Sequence, residues 1–152
     1  MRLDRRWIAE RIPHDGSMCL LDEVLDWNAQ HIRCRTGSHR LADNPLRSHG
    51  RLAAVCAIEY AAQAIAVHGA LMEPPPAGAP RSGYLASVRG VSLRVPRLDD
   101  IEGDLICEAT RVAGNRGIVL YDFSVAAATS PGPALATGRA TIVLDTNSLD
   151  LA

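Results

Sequence analysis

SHGRLAAVCAIEYAAQ, residues 48–63, places an acidic residue, Glu59, in the middle of a run of Ala, Val, Ile and Leu, behind a His49-Gly50 pair. A carboxylate alone in an apolar interior is costly, so such a residue is turned to water, paired, or kept for chemistry. The apolar run continues to Leu71, and EPPPAGAPRSG then ends it, because proline cannot continue a helix. The pattern predicts one long helix. Apolar on nearly every face, it is expected to be enclosed by the rest of the chain.

On the N-terminal side, Asp4 can cap a short helix over Arg5 to Arg11 that Pro13 stops. MCLLDEVLDW and HIRCRTG then read as two strands about a Trp27-Asn28-Ala29-Gln30 turn, and DNPLRSHG reads as loop. On the C-terminal side, SGYLASVRGVSLRV, GDLICEATRV, GIVLYDFSVAAA and ALATGRATIVLD read as four strands separated by turn-rich segments. Val119, Tyr121, Phe123 and Val125 alternate with a more polar set, as in a half-buried antiparallel strand. With one substantial helix there are no βαβ repeats. The expected class is α+β: one antiparallel sheet curled around the helix, in a single domain over 1–152 with a Pro/Gly-rich linker at 72–82 inside it.

A net charge of −1 gives no sign of a general nucleic-acid binder, and all sixteen basic residues are arginine. Cys19, Cys34, Cys56 and Cys107 are far apart and form no CxxC. They read as buried reduced thiols of a cytosolic protein, with pairing in an oxidising compartment as the alternative. MRLDRRWIAERIP contains no apolar signal region, so a cytoplasmic protein is expected. The stretch Leu52–Leu71 has the length of a membrane span but carries Glu59, Gln63 and His68 and is mainly alanine, so no span is expected.

The element order resembles the hotdog fold. IPHDGSMCLLDEV is similar to the opening segment of the bacterial 3-hydroxyacyl-acyl-carrier-protein dehydratases, and SHGRLAAVCAIEYAAQ to their active-site segment, a histidine ahead of a helix bearing Glu-x-x-x-Gln, here Glu59 and Gln63. NPL, IEYAAQAIAVHG, YLASVRGVSLRV and GRATIVL resemble the divergent branch of that family linked to aryl-polyene and related pigment pathways. The typical Phe-Pro-Gly after the histidine is absent, and His49 stands closer to Glu59 than in typical dehydratases.

The resemblance implies a dehydratase acting on 3-hydroxyacyl chains carried on acyl carrier protein or CoA, giving 2-enoyl chains for fatty-acid-like or polyene synthesis. His49 would be the base and Glu59 the acid, with a backbone N–H between Gly50 and Ala54 polarising the thioester and Gln63 in support. No metal or redox cofactor is required; the phosphopantetheine arrives with the substrate carrier. If most of the interval were helical, His49 and Glu59 of one chain would lie roughly 12 to 15 Å apart. The resembled family solves this with a two-fold, so a dimer with shared sites is expected, with itself or with another hotdog subunit.

His14 matches a family position that is usually structural, and His68 sits near the helix end, where a cation favours the dipole. Cys56 reads as packing. Arg47, Arg51, Arg89, Arg94 and Arg97 could receive an acidic carrier protein. Two alternatives stay open: a thioesterase on the same fold, and a weakly catalytic or non-catalytic partner subunit of a heterodimeric dehydratase.

Overall fold

The computed structural model describes residues 2–12, 14, 16–73, 83–115, 117–129 and 132–144. Most of the expected 72–82 linker, from residue 74 on, lies outside them, as does Pro13. Asp4 caps the first helix, α1 (Arg5–Ala9), by accepting the Trp7 amide at 3.0 Å. The helix is shorter than the expected Arg5–Arg11, and Arg11 and Ile12 continue it only as a turn onto the Ile8 carbonyl.

The first strand begins later than its apolar run. Gly16–Met18 form a 3-10 turn, Cys19, Leu20 and Leu21 are buried without belonging to a strand, and β1 spans Glu23–Trp27. Its hairpin partner β2 (His31–Thr36) alternates half-buried and buried residues, placing Ile32, Cys34 and Thr36 inward. The other strands are β3 (Gly83–Leu93), β4 (Leu105–Gly114), β5 (Ile118–Ala127) and β6 (Ala136–Leu144), all antiparallel in the order β1-β2-β4-β5-β6-β3. On β5, Val119, Tyr121, Phe123 and Val125 face inward, as their alternation predicts.

The long helix, α2, spans Ala57–Met72, preceded by a 3-10 turn at Ala54–Cys56. No side chain caps it. Its approach is fixed instead by the segment before β4: Asp99 accepts the Leu52 amide at 2.8 Å, the Ala54 amide reaches Pro96, and the Leu98 amide reaches Leu52. The stretch Ala54–Met72 is long and apolar enough to cross a membrane by length and composition, but here it is the core helix, packed on β2, β4 and β5.

Enclosure of α2 is incomplete, contrary to the reading of an all-round apolar helix. Tyr60, Ala61, Gln63, Ala64, Val67 and His68 are buried, whereas Glu59, Ala62, Ala66 and Gly69 are only partly so. Those last four, with Glu73, follow steps of three and four residues and form one stripe. β3 lies at the sheet edge beyond β6, and among the described residues that stripe is not sealed by it; Tyr84 on β3 is 64% exposed.

The four cysteines are free. Cys34 and Cys107 face each other across β2 and β4, and burial pushes the Cys34 thiol up to about 12 and Cys107 well above its ordinary value. Neither is a nucleophile at neutral pH.

Candidate active site

The part-buried stripe is the floor of a cavity of about 560 Å³. Ala62, Ala66 and Gly69 create the space, because their side chains are too small to reach the sheet; Val119, Tyr121 and Ile142 form the opposite wall. From Glu59 to Glu73 the floor runs roughly 21 Å at 1.5 Å per residue. The trough is mostly apolar along its length and carries Glu59 and His14.

His14 Nε2 lies 3.0 Å from Glu59 Oε1, and the two side chains are 25% and 31% exposed. Gln63, one turn further along α2, donates to the same oxygen at 3.2 Å. Among the described residues both bonds fall on Oε1, which leaves Oε2 for a ligand. Burial alone would raise the Glu59 pKa, but the hydrogen bonds from His14 and Gln63 and the electrostatic influence of His14 outweigh it and hold the carboxyl below its ordinary value.

Gln63 is the device that brings the two together. It is fully buried, donates to the Met18 carbonyl at 2.7 Å and accepts the Leu20 amide at 2.9 Å. The segment behind His14 is thereby fastened to the helix that carries Glu59. Arg5 adds a bond to the Gly16 carbonyl at 3.0 Å.

The structure does not place His49 with Glu59 in one chain. His49 and Gly50 are the central residues of a tight turn closed by paired Ser48 and Arg51 backbone bonds of 2.8 and 3.0 Å. Both have positive φ, 53° and 73°, the conformation of a type I′ turn, which explains the glycine. His49 is exposed and lines no part of the cavity. Of the interval to Glu59 only Ala57 and Ile58 are α-helical; the rest is turn, bridge, irregular chain and 3-10 helix. Of the five amides from Gly50 to Ala54, Arg51, Leu52 and Ala54 are committed to Ser48, Asp99 and Pro96, so three of the expected thioester donors are spent.

Other side chains also depart from their sequence reading. His68 is buried, and burial lowers its pKa, so it is neutral at pH 7 rather than a cation answering the helix dipole. Arg97 is occupied by Asp99 and Asp100, and Arg47 by the carbonyls of Gly50 and His39; Arg51, Arg89 and Arg94 remain exposed. Among the described residues no group of three or more His, Cys, Asp or Glu is placed to hold a metal ion.

A model of the ApeP dehydratases, an ApeP-like family, matches residues 6–150. The chain belongs to the ApeP-like dehydratase family. A search of curated proteins finds no match. Among solved structures, this ApeP-like chain is similar to the dehydratase heterocomplex ApeI:P from Xenorhabdus doucetiae, with a TM-score of 0.77 and 22% identity over 95% of this chain and 94% of that one. It is also similar to zebrafish thioesterase superfamily member 2, with a TM-score of 0.64 and 17% identity over 93% of each chain. The thioesterase HI1161 from Haemophilus influenzae gives 0.56 and 13% over 81% of this chain and 77% of that one. At these identities the shared property is the fold, a hotdog: a six-stranded antiparallel sheet around one long helix.

Proposed function

We propose that this chain removes water from 3-hydroxyacyl thioesters carried on acyl carrier protein or CoA in the cytoplasm, giving 2-enoyl chains for fatty-acid-like or polyene synthesis. The observation that carries the reading is the His14–Glu59 pair set in an apolar trough. The trough suits an acyl chain, and the pair suits elimination. Glu59, held as a carboxylate, takes the proton from C2 at Oε2 and passes it to the C3 hydroxyl, which leaves as water as the C2=C3 bond forms and the C3–O bond breaks, while His14, bonded at Oε1, orients the carboxylate. The proton leaves with the water, so Glu59 is again a carboxylate. No metal or redox cofactor takes part.

We further propose that it works beside a second hotdog subunit. The support is the long edge strand β3, on which Tyr84, Leu85, Val91 and Leu93 are exposed, the kind of sheet edge that proteins normally cover. The similar ApeI:P structure is itself a heterocomplex. Exposed Arg51, Arg89 and Arg94 are the arginines left to meet an acidic carrier.

A second reading of the site keeps His49 as the base, delivered by the neighbouring subunit. Its support is the positive φ of a non-glycine residue held in an exposed turn, a strained position of the kind that marks functional sites.

The experiment is incubation with a 3-hydroxyacyl carrier protein, alone and with a second hotdog subunit, with products read by mass spectrometry. An enoyl chain is expected; free acid would make the chain a thioesterase, and no product in either mixture would overturn the catalytic reading. Replacing His14 by Ala should cut turnover at least about a hundredfold, with His49→Ala close to wild type. The reverse pattern, with rescue on mixing His49→Ala and Glu59→Gln chains, would put the second subunit's imidazole in the site instead.

A further inference from the structure

His68 and Tyr121 form a buried pair that the dehydration chemistry does not use. His68 Nε2 lies 2.8 Å from the Asn28 carbonyl, which can only accept, so Nε2 carries the proton. In the neutral ring Nδ1 is then bare. Tyr121 Oη lies 2.6 Å from it and must be the donor. The phenol proton is committed, and among the described residues the Tyr121 oxygen has no other partner, so its lone pairs remain. Tyr121 is part of the cavity wall.

Its partner across β4 and β5 is Arg111, which also lines the cavity and can only donate. An acceptor and a donor thus stand side by side in the cavity wall, flanked by the apolar Val119 and Ile142. His68 is nine positions beyond Glu59 on α2, roughly 13 Å along the helix axis. That is too far for the atoms undergoing elimination.

We propose that Tyr121, its proton given to His68, is a hydrogen-bond acceptor in the cavity and with Arg111 selects a ligand group that both donates and accepts: a hydroxyl or a secondary amide. The inference rests on the cavity being the acyl-thioester site. Two parts of such a ligand carry this chemistry, an amide of the pantetheine arm and a hydroxyl far along the acyl chain.

The test uses non-reacting thioethers, so that it does not depend on turnover. Binding to the full chain and to Tyr121→Phe is measured for three ligands: a plain alkyl chain on pantetheine, the same chain on an amide-free thiol, and an amide-free chain with a distal hydroxyl. A roughly five- to tenfold loss of affinity is expected in the variant, the worth of one neutral hydrogen bond, for the ligand bearing the recognised group only. Loss confined to the pantetheine ligand assigns the arm; loss confined to the hydroxylated ligand assigns the acyl chain. Equal affinities, or the same loss for all three, overturn the proposal.

Nitrogen NMR of His68 in the unaltered chain gives a second reading should the variant fold poorly. An unprotonated Nδ1 whose resonance moves when the recognised ligand binds is expected; a protonated Nδ1, or one that none of the three ligands moves, overturns it.

Discussion

Gln63 donates to the Met18 carbonyl at 2.7 Å, and this buried bond joins the helix of Glu59 to the segment that follows His14. The same amide reaches Glu59 Oε1, and its oxygen receives the Leu20 amide. One side chain therefore satisfies two backbone groups and orients the carboxylate.

Replacement of Gln63 by Leu is expected to reduce both stability and activity. The Leu20 amide and Met18 carbonyl would be left without partners, at roughly 1–3 kcal/mol for each group that stays buried. Urea denaturation should show the lower midpoint, and turnover should fall even under conditions where the variant remains folded, because His14 is no longer held against Glu59. A variant with lowered stability and unchanged turnover would show that the clamp does not position the pair.

The pH dependence of kcat/KM should reflect the depressed Glu59 carboxyl. Its folded pKa lies below the ordinary value of 4.5, so the carboxylate needed as base persists down to that pH and is lost below it. The acid limb assigned to this group should therefore lie below 4.5. In His14→Ala, which removes the neighbour whose hydrogen bond helps hold the pKa down, that limb should move upward. An unmoved limb would separate the titrating base from Glu59.

The fold and the oddity of Glu59 were legible in the sequence, whereas the contact between His14 and Glu59 was not, for physical reasons. Strand alternation on β5 and the proline-rich end of α2 are local patterns, set by periods of two and by the missing proline N–H. Glu59 stood out because a carboxylate in an alanine-rich run is costly. The pairing with His14 spans 45 residues and depends on a tertiary bond through Gln63, for which no local period exists. A signal for the cavity was present: Glu59, Ala62, Ala66, Gly69 and Glu73 share one helical stripe of small residues between two acids. The glycine of the His49-Gly50 pair answers a turn that needs positive φ.

Acid should destabilise the fold through two histidines. Burial lowers the pKa of His68, whose Nε2 is bound to the Asn28 carbonyl, and of His39, bound to the Ile101 carbonyl. The neutral ring is the folded form, whereas in the unfolded chain each protonates near its ordinary value of 6.5. Their contribution is full above 6.5 and falls as pH drops toward the folded pKa values, since the unfolded state then binds more protons. Unfolding free energy measured by urea from pH 8 to pH 5 should decline below 6.5, and less so in a folded His68→Phe variant. A flat profile would mean that neither ring is held neutral.

Gly138 on β6 lies opposite Phe123 on β5, and the ring covers the glycine: a Cβ placed there would stand 2.7 Å from Phe123 Cζ and 3.3 Å from a Val91 methyl. Phe123 is 4% exposed, so its ring has core neighbours on the other side and little room to withdraw. Gly138→Ala is expected to cost about 1–3 kcal/mol, the usual range for forcing an added carbon into a packed core. Shortening the opposing side chain should recover part of this. In Gly138→Ala/Phe123→Leu, the added methyl occupies space the ring has vacated, so the double variant should be less destabilised than the sum of the two single changes. Strict additivity in denaturant melts would mean that the glycine is required for a reason other than contact with this ring.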